Sequence, residues 1–166
     1  MRLSTTIHED STLEVLTWDI LLGVRWYDLP QSTSLLRFRE LQAQYLARLA
    51  PRKAIVISVS NAAGDLRFDP GSRELVEAVM ADAKSHLLGM AQVIAGDGFA
   101  AASVRSVLLG IQLSTRPDYP VRVFSDLEEA RPWIEELLVA ADRPDLARDV
   151  GTELLARLEP ARAAST

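Results

Sequence analysis

The stretch Tyr119-Pro-Val-Arg-Val-Phe-Ser-Asp-Leu-Glu-Glu-Ala-Arg-Pro-Trp-Ile134 admits few folds, because a short strand in it runs straight into a helix. Val121 and Val123 flank Arg122 and Phe124 closes the run, so one face of the strand is apolar. Ser125 stands where a helix cap belongs, with Glu128 three residues on. That spacing predicts a capping box, in which hydroxyl and carboxylate each take an otherwise unpaired amide. Leu127, Ala130, Ile134, Leu137 and Leu138 then recur at helical spacing. Pro132 falls early in this helix and predicts a kink, or a helix start nearer that residue. Such a tight strand-to-helix passage is the last unit of an α/β layer fold.

The preceding chain supplies the other units. Thr12–Asp19 and Leu21–Tyr27 are rich in β-branched and aromatic residues and reverse at Asp19-Ile20, which predicts an antiparallel hairpin. Leu3–His8 adds an edge strand. From Ser32 or Thr33, an apolar stripe of Leu35, Phe38, Leu41, Tyr45, Leu46 and Leu49 predicts a helix that Pro51 stops. Lys53–Ser60 is apolar on both faces, as a parallel strand covered by helices must be. After the loop from Asn61 to Phe68, Asp69-Pro70 marks a second helix start. Leu87–Ile94 reads as another central strand, Gly96-Asp97-Gly98 as a turn, and Phe99–Leu113 as a third helix. The order β-β-α-β-α-β-α-β-α predicts an α/β fold: a mixed sheet with an N-terminal antiparallel hairpin, mainly parallel core strands, and helices packed on the sheet. Residues 1–140 make this domain. Residues 141–166 read as a helical extension with a frayed tail. Within it Leu146, Val150, Leu154 and Leu158 share one helical face, to pack on the domain or on a partner.

Composition narrows the function. At 166 residues with 48% hydrophobic content, the chain is long enough to build one core without staples. Its net charge of −5 and lack of a basic stripe argue against nucleic acid, whose phosphates supply most binding affinity. There is no cysteine, which removes disulfides, thiolate chemistry and cysteine metal sites. No apolar run approaches the ~20 residues of a membrane span and no secretory signal is visible, so a cytoplasmic location is expected. The two histidines, His8 and His86, have no metal-ligand spacing. Ser58 and Ser60 have no evident histidine base. No cofactor, metal site or catalytic set is expected.

The element order, with Ala54-Ile-Val-Ile-Ser-Val, Ser103-Val-Arg-Ser-Val-Leu-Leu-Gly-Ile-Gln-Leu and Pro120-Val-Arg-Val-Phe-Ser-Asp-Leu-Glu-Glu-Ala-Arg-Pro-Trp-Ile, resembles stand-alone bacterial STAS-type domains of SpoIIAA-like fold over roughly residues 12–138. The wider fold is similar to anti-sigma-factor antagonists, lipid-binding CRAL-TRIO domains and the cytoplasmic tails of anion transporters. The resemblance implies a non-enzymatic regulatory or protein-interaction module, acting as a homodimer with an unknown protein partner. In the antagonists a partner kinase phosphorylates a serine at a helix start within Asp-Ser-Ser-Gly. The equivalent place here reads Asp69-Pro-Gly-Ser72, which makes Ser72 the candidate phospho-acceptor. The alternative implied by the distant lipid binders is a carrier of a small apolar or lipid ligand.

Two loops, Gly64-Asp65 to Asp69-Pro-Gly71 and Gly96-Asp97-Gly98, follow the central strands and border the place where open α/β sheets bind ligands. Ordinary turn chemistry also accounts for both. Trp18, Trp26 and Tyr27 either cover the core or form a binding or dimer patch.

Overall fold

A computed structural model describes residues 3–61 and 70–160. Six strands form one sheet: β1 (Thr5–Glu9), β2 (Leu13–Trp18), β3 (Leu21–Trp26), β4 (Ala54–Asn61), β5 (Leu87–Ala95) and β6 (Val121–Phe124). They lie side by side in chain order. The first three pair antiparallel, and β3 through β6 run parallel. The α/β class, the hairpin and the parallel core expected from the sequence are all present.

Local chemistry sets the reversals. Asp10 Oδ1 accepts from the amides of Thr12 (2.7 Å) and Leu13 (3.1 Å) and from the Thr12 hydroxyl, closing the β1–β2 turn. These bonds, those from Thr12 first, hold the Asp10 carboxyl far below the usual carboxylate range. Asp19 makes the β2–β3 turn at φ 52°.

The parallel strands are joined by α1 (Ser32–Leu49), α2 (Pro70–Asp82) and α3 (Phe99–Thr115). Each crossover moves one strand in the same direction. Crossovers of constant hand then put all three helices on one face. Side chains of α1, α2 and α3 do meet over one patch of sheet. The opposite face carries α4 (Leu127–Ala140) and the C-terminal segment: α5 (Pro144–Val150), a wide π turn (Gly151–Leu155) and α6 (Ala156–Leu158). Leu146, Val150, Leu154 and Leu158 are buried in the same core as the sheet, so this segment packs on its own chain. Repeats of four residues overshoot a 3.6-residue turn by about 40° each. The π turn takes up part of that drift and keeps the four side chains inward.

Glycines let this second layer in close. A Cβ at Gly23 would stand 2.8 Å from Leu158 Cδ1, and one at Gly89 2.7 Å from Leu137 Cδ1. Ion pairs fix the rim. The Arg143 guanidinium donates to both Asp19 carboxylate oxygens at 2.9 and 3.0 Å, and the Asp19 side chain is 1% exposed. Those bonds raise the Arg143 pKa further. Arg157 donates to the Ser4 carbonyl and hydroxyl and to the Thr6 hydroxyl, tying α6 to the β1 edge. At the other edge Arg122 lies over the rings of Phe124 and Trp133.

Three local expectations need correction. The cap of α4 is Asp126, not Ser125: Asp126 Oδ1 accepts from the Glu129 amide at 2.7 Å, and Glu129 Oε2 accepts from the Ser125 amide at 3.0 Å. The pattern slipped by one because two adjacent glutamates fit it equally well. The helix also runs through Pro132 as one element rather than beginning there. Pro132 is exposed, so water can serve the carbonyl left unpaired. The third helix reaches Thr115, and Arg116 ends it in the left-handed region at φ 45°.

Candidate ligand cavity

The strand register alternates the two faces. Leu21, Gly23 and Arg25 of β3 look toward α4 and the C-terminal segment, while Leu22, Val24 and Trp26 look toward α1–α3. On β4 the second set is Val56, Ser58 and Ser60, and on β5 it is Met90, Gln92 and Ile94. Trp26 pairs with Ser60 and Ser58 with Gln92, so the polar residues fall together near the carboxyl ends of three parallel strands. The arrangement follows from period-two alternation in otherwise apolar strands.

Between these strands and α1–α3 lies a partly enclosed cavity of about 60 Å³. All the empty space between its lining atoms and out to solvent comes to about 590 Å³. The smaller figure describes the room for a ligand in firm contact, because the larger includes open mouth. Leu35 and Phe38 of α1, Val76, Val79 and Met80 of α2, and Leu108 of α3 form the roof; Leu29 and Pro30 complete the wall beyond β3. Among the described residues, none that lines it ionises.

Specific bonds hold the walls. The Trp26 indole Nε1 donates to Ser58 Oγ at 2.9 Å, and its ring meets Phe38 edge-on at 5.6 Å. Gln42 Nε2 donates to the Val79 carbonyl at 3.1 Å, locking α1 to α2. Tyr119 donates its hydroxyl to the Met80 carbonyl at 2.8 Å. Burial first, then the Asp118 carboxylate, raise the Tyr119 phenol pKa, so it stays a donor. Gln92 differs from these side chains. It is 6% exposed, its Oε1 has no hydrogen-bond partner among the described residues, and its Nε2 meets only Met90 Sδ at 3.8 Å.

The residues expected at a site distribute unevenly. Gly64, Asp65 and Asp69 lie outside the described residues. Gly71 is exposed at the start of α2 and does not line the cavity. Gly96, Asp97 and Gly98 form the exposed turn into α3, with Gly96 at φ 113° and Gly98 at φ 95°, beside the cavity and not in its wall. Ser72 is in the first turn of α2 and is 0% exposed. A kinase would reach its hydroxyl only if that turn opened. Trp18 and Trp26 are each 4% exposed, so of the two readings they take the core one. They bury large apolar area against opposite helix layers, and only Tyr27 reaches the surface. Gln92 was missed from sequence. Its signal was a lone polar residue inside an apolar central strand, on the face that Ser58 and Ser60 occupy next door.

Among the described residues, no three His, Cys, Asp or Glu side chains cluster as a metal site would require, and no helix is long and apolar enough to cross a membrane. Compared with known proteins, the chain matches no family model, no curated protein and no solved structure.

Proposed function

We propose that this chain is a non-catalytic binding module that takes up a small, uncharged, mainly apolar molecule between its parallel strands and α1–α3. The observation that carries the reading is the cavity: apolar, built at the carboxyl ends of parallel strands, and lined by no ionisable group among the described residues. The resemblance to STAS-type domains supports a regulatory use of that occupancy. Benzene is the probe, with chemical shifts as the readout. Saturable shifts should appear at the Trp26 indole and the amides of Ile94 and Met90, together with a rise in melting temperature as ligand is added. No saturable response would defeat the reading, and so would shifts confined to the outer surface.

A second reading, contact with a second copy, is favoured by the outer face of α3. Phe99, Ala102, Ser106, Leu109 and Leu113 follow heptad spacing and carry no charge. Phe99 is 88% exposed and Leu113 77%. An uncharged stripe of this spacing is self-complementary about a two-fold axis. Sedimentation equilibrium at high micromolar concentration should give twice the chain mass, and Leu113→Glu should return the monomer. A monomeric parent protein would count against this reading.

A further inference from the structure

Gln92 lines this cavity, is buried, and has a fully buried acceptor with no hydrogen-bond partner among the described residues. A buried carbonyl oxygen without a partner forfeits the bonds it had in water, at a cost of roughly 1–3 kcal/mol. Ser58 does not repay it: its hydroxyl accepts from Trp26 and makes no hydrogen bond to Gln92 Oε1. Met90 offers only a weak sulfur contact to the Gln92 amide nitrogen at 3.8 Å. Apolar residues of similar length would fill the same place without this penalty. The amide faces a cavity that a ligand can enter, so a ligand group is the natural partner.

We infer that Gln92 selects the ligand: the site takes a neutral molecule with an apolar body and one hydrogen-bond donor, a hydroxyl or amide N–H, directed at Gln92 Oε1. The inference rests on the binding reading given above and adds the ligand's chemical class. A neutral ligand is favoured because an ion entering this apolar cavity loses its hydration and meets no counter-charge among the described lining residues. Size is bounded as well. A cavity of about 150 Å³ accommodates benzene in another protein, so a ring here must displace wall atoms from the resting 60 Å³. Met80 and Met90 are the walls that can move, being unbranched and adaptable. The donor anchors one end while the methionines adjust around the other.

The test is a cycle of two ligands and two proteins, read by titration of the Trp26 indole shift. Phenol and benzene share a ring and differ by the donor. Gln92→Met removes the acceptor while keeping the chain length, and Gln92→Leu is a second variant should the first fold poorly. The phenol-to-benzene affinity ratio should fall about tenfold in the variant, the loss of one hydrogen bond, with benzene affinity unchanged or improved. Equal ratios in both proteins, with both ligands bound, overturn the role of Gln92 and leave the binding reading standing. Absence of binding by either ligand in either protein overturns the binding reading and this inference with it. Benzoate bound as tightly as phenol overturns the requirement for a neutral ligand.

Discussion

The two sides of this sheet are covered in different ways. Under α4 and the C-terminal segment, Gly23 and Gly89 remove side chains so that Leu158 and Leu137 can approach the backbone itself. Ile134, Leu138, Val150, Leu154 and Leu158 are each fully buried there. Under α1–α3, the strands present Ser58, Ser60 and Gln92, and the helices stand over a cavity. One layer brings side chains down onto the strand backbone, and the other keeps an apolar cavity and an acceptor with no partner among the described residues. Close packing stabilises a fold, whereas a binding site needs unfilled volume, and on the binding function proposed above the two tasks fall to opposite faces.

Truncations should separate the faces most sharply. Leu154→Ala on the dense side removes a side chain held on all sides, and should cost about 4 kcal/mol in chemical denaturation. Leu108→Ala, which borders existing empty space, should cost about 2 kcal/mol. Equal losses would erase the contrast. A smaller effect sits at the rim of the dense side. Glu14 is buried there, facing Glu9 across β1–β2, with Arg25 on β3, Arg157 on α6 and the Thr6 hydroxyl nearby. Burial first, then Glu9, raise its pKa above the ordinary glutamate value; Arg25 and Arg157 oppose them. The folded state therefore holds this proton to higher pH than the unfolded chain does. The stability it adds is full below the ordinary glutamate value, about 4.3, and is lost as pH rises through the raised value. Glu14→Gln should thus melt a few degrees higher than the parent at pH 7, with the difference vanishing by pH 4. A gap that persists or widens in acid would contradict this account.

The fold was legible because its signals were local. β4 and β5 are apolar on both faces, and that alone placed them between two helix layers. The apolar stripe of α1 and the Asp19-Ile20 reversal were equally direct. The cap of α4 was misread by one residue, since Asp126 and Glu129 satisfy the same pattern as Ser125 and Glu128. The site was harder to see for a different reason. Ser58, Ser60 and Gln92 come from strands separated by a helix, and only the pairing register sets them side by side. The aromatic hairpin was ambiguous because sequence does not say which residues a later helix will cover. Trp18 shares the lining of one cleft with Leu146 of α5, more than a hundred positions downstream.

The wide turn at Gly151–Leu155 has a consequence for how chains of this architecture are lined up. With two residues in place of three between Val150 and Leu154, an ordinary α-helix would present the same four apolar side chains. A gap of one position therefore belongs inside 151–155 whenever a counterpart has a regular helix there. Without that gap, Leu158, seated on Gly23, would be matched to an outward-facing residue, and the homology of the whole C-terminal layer would be lost from view.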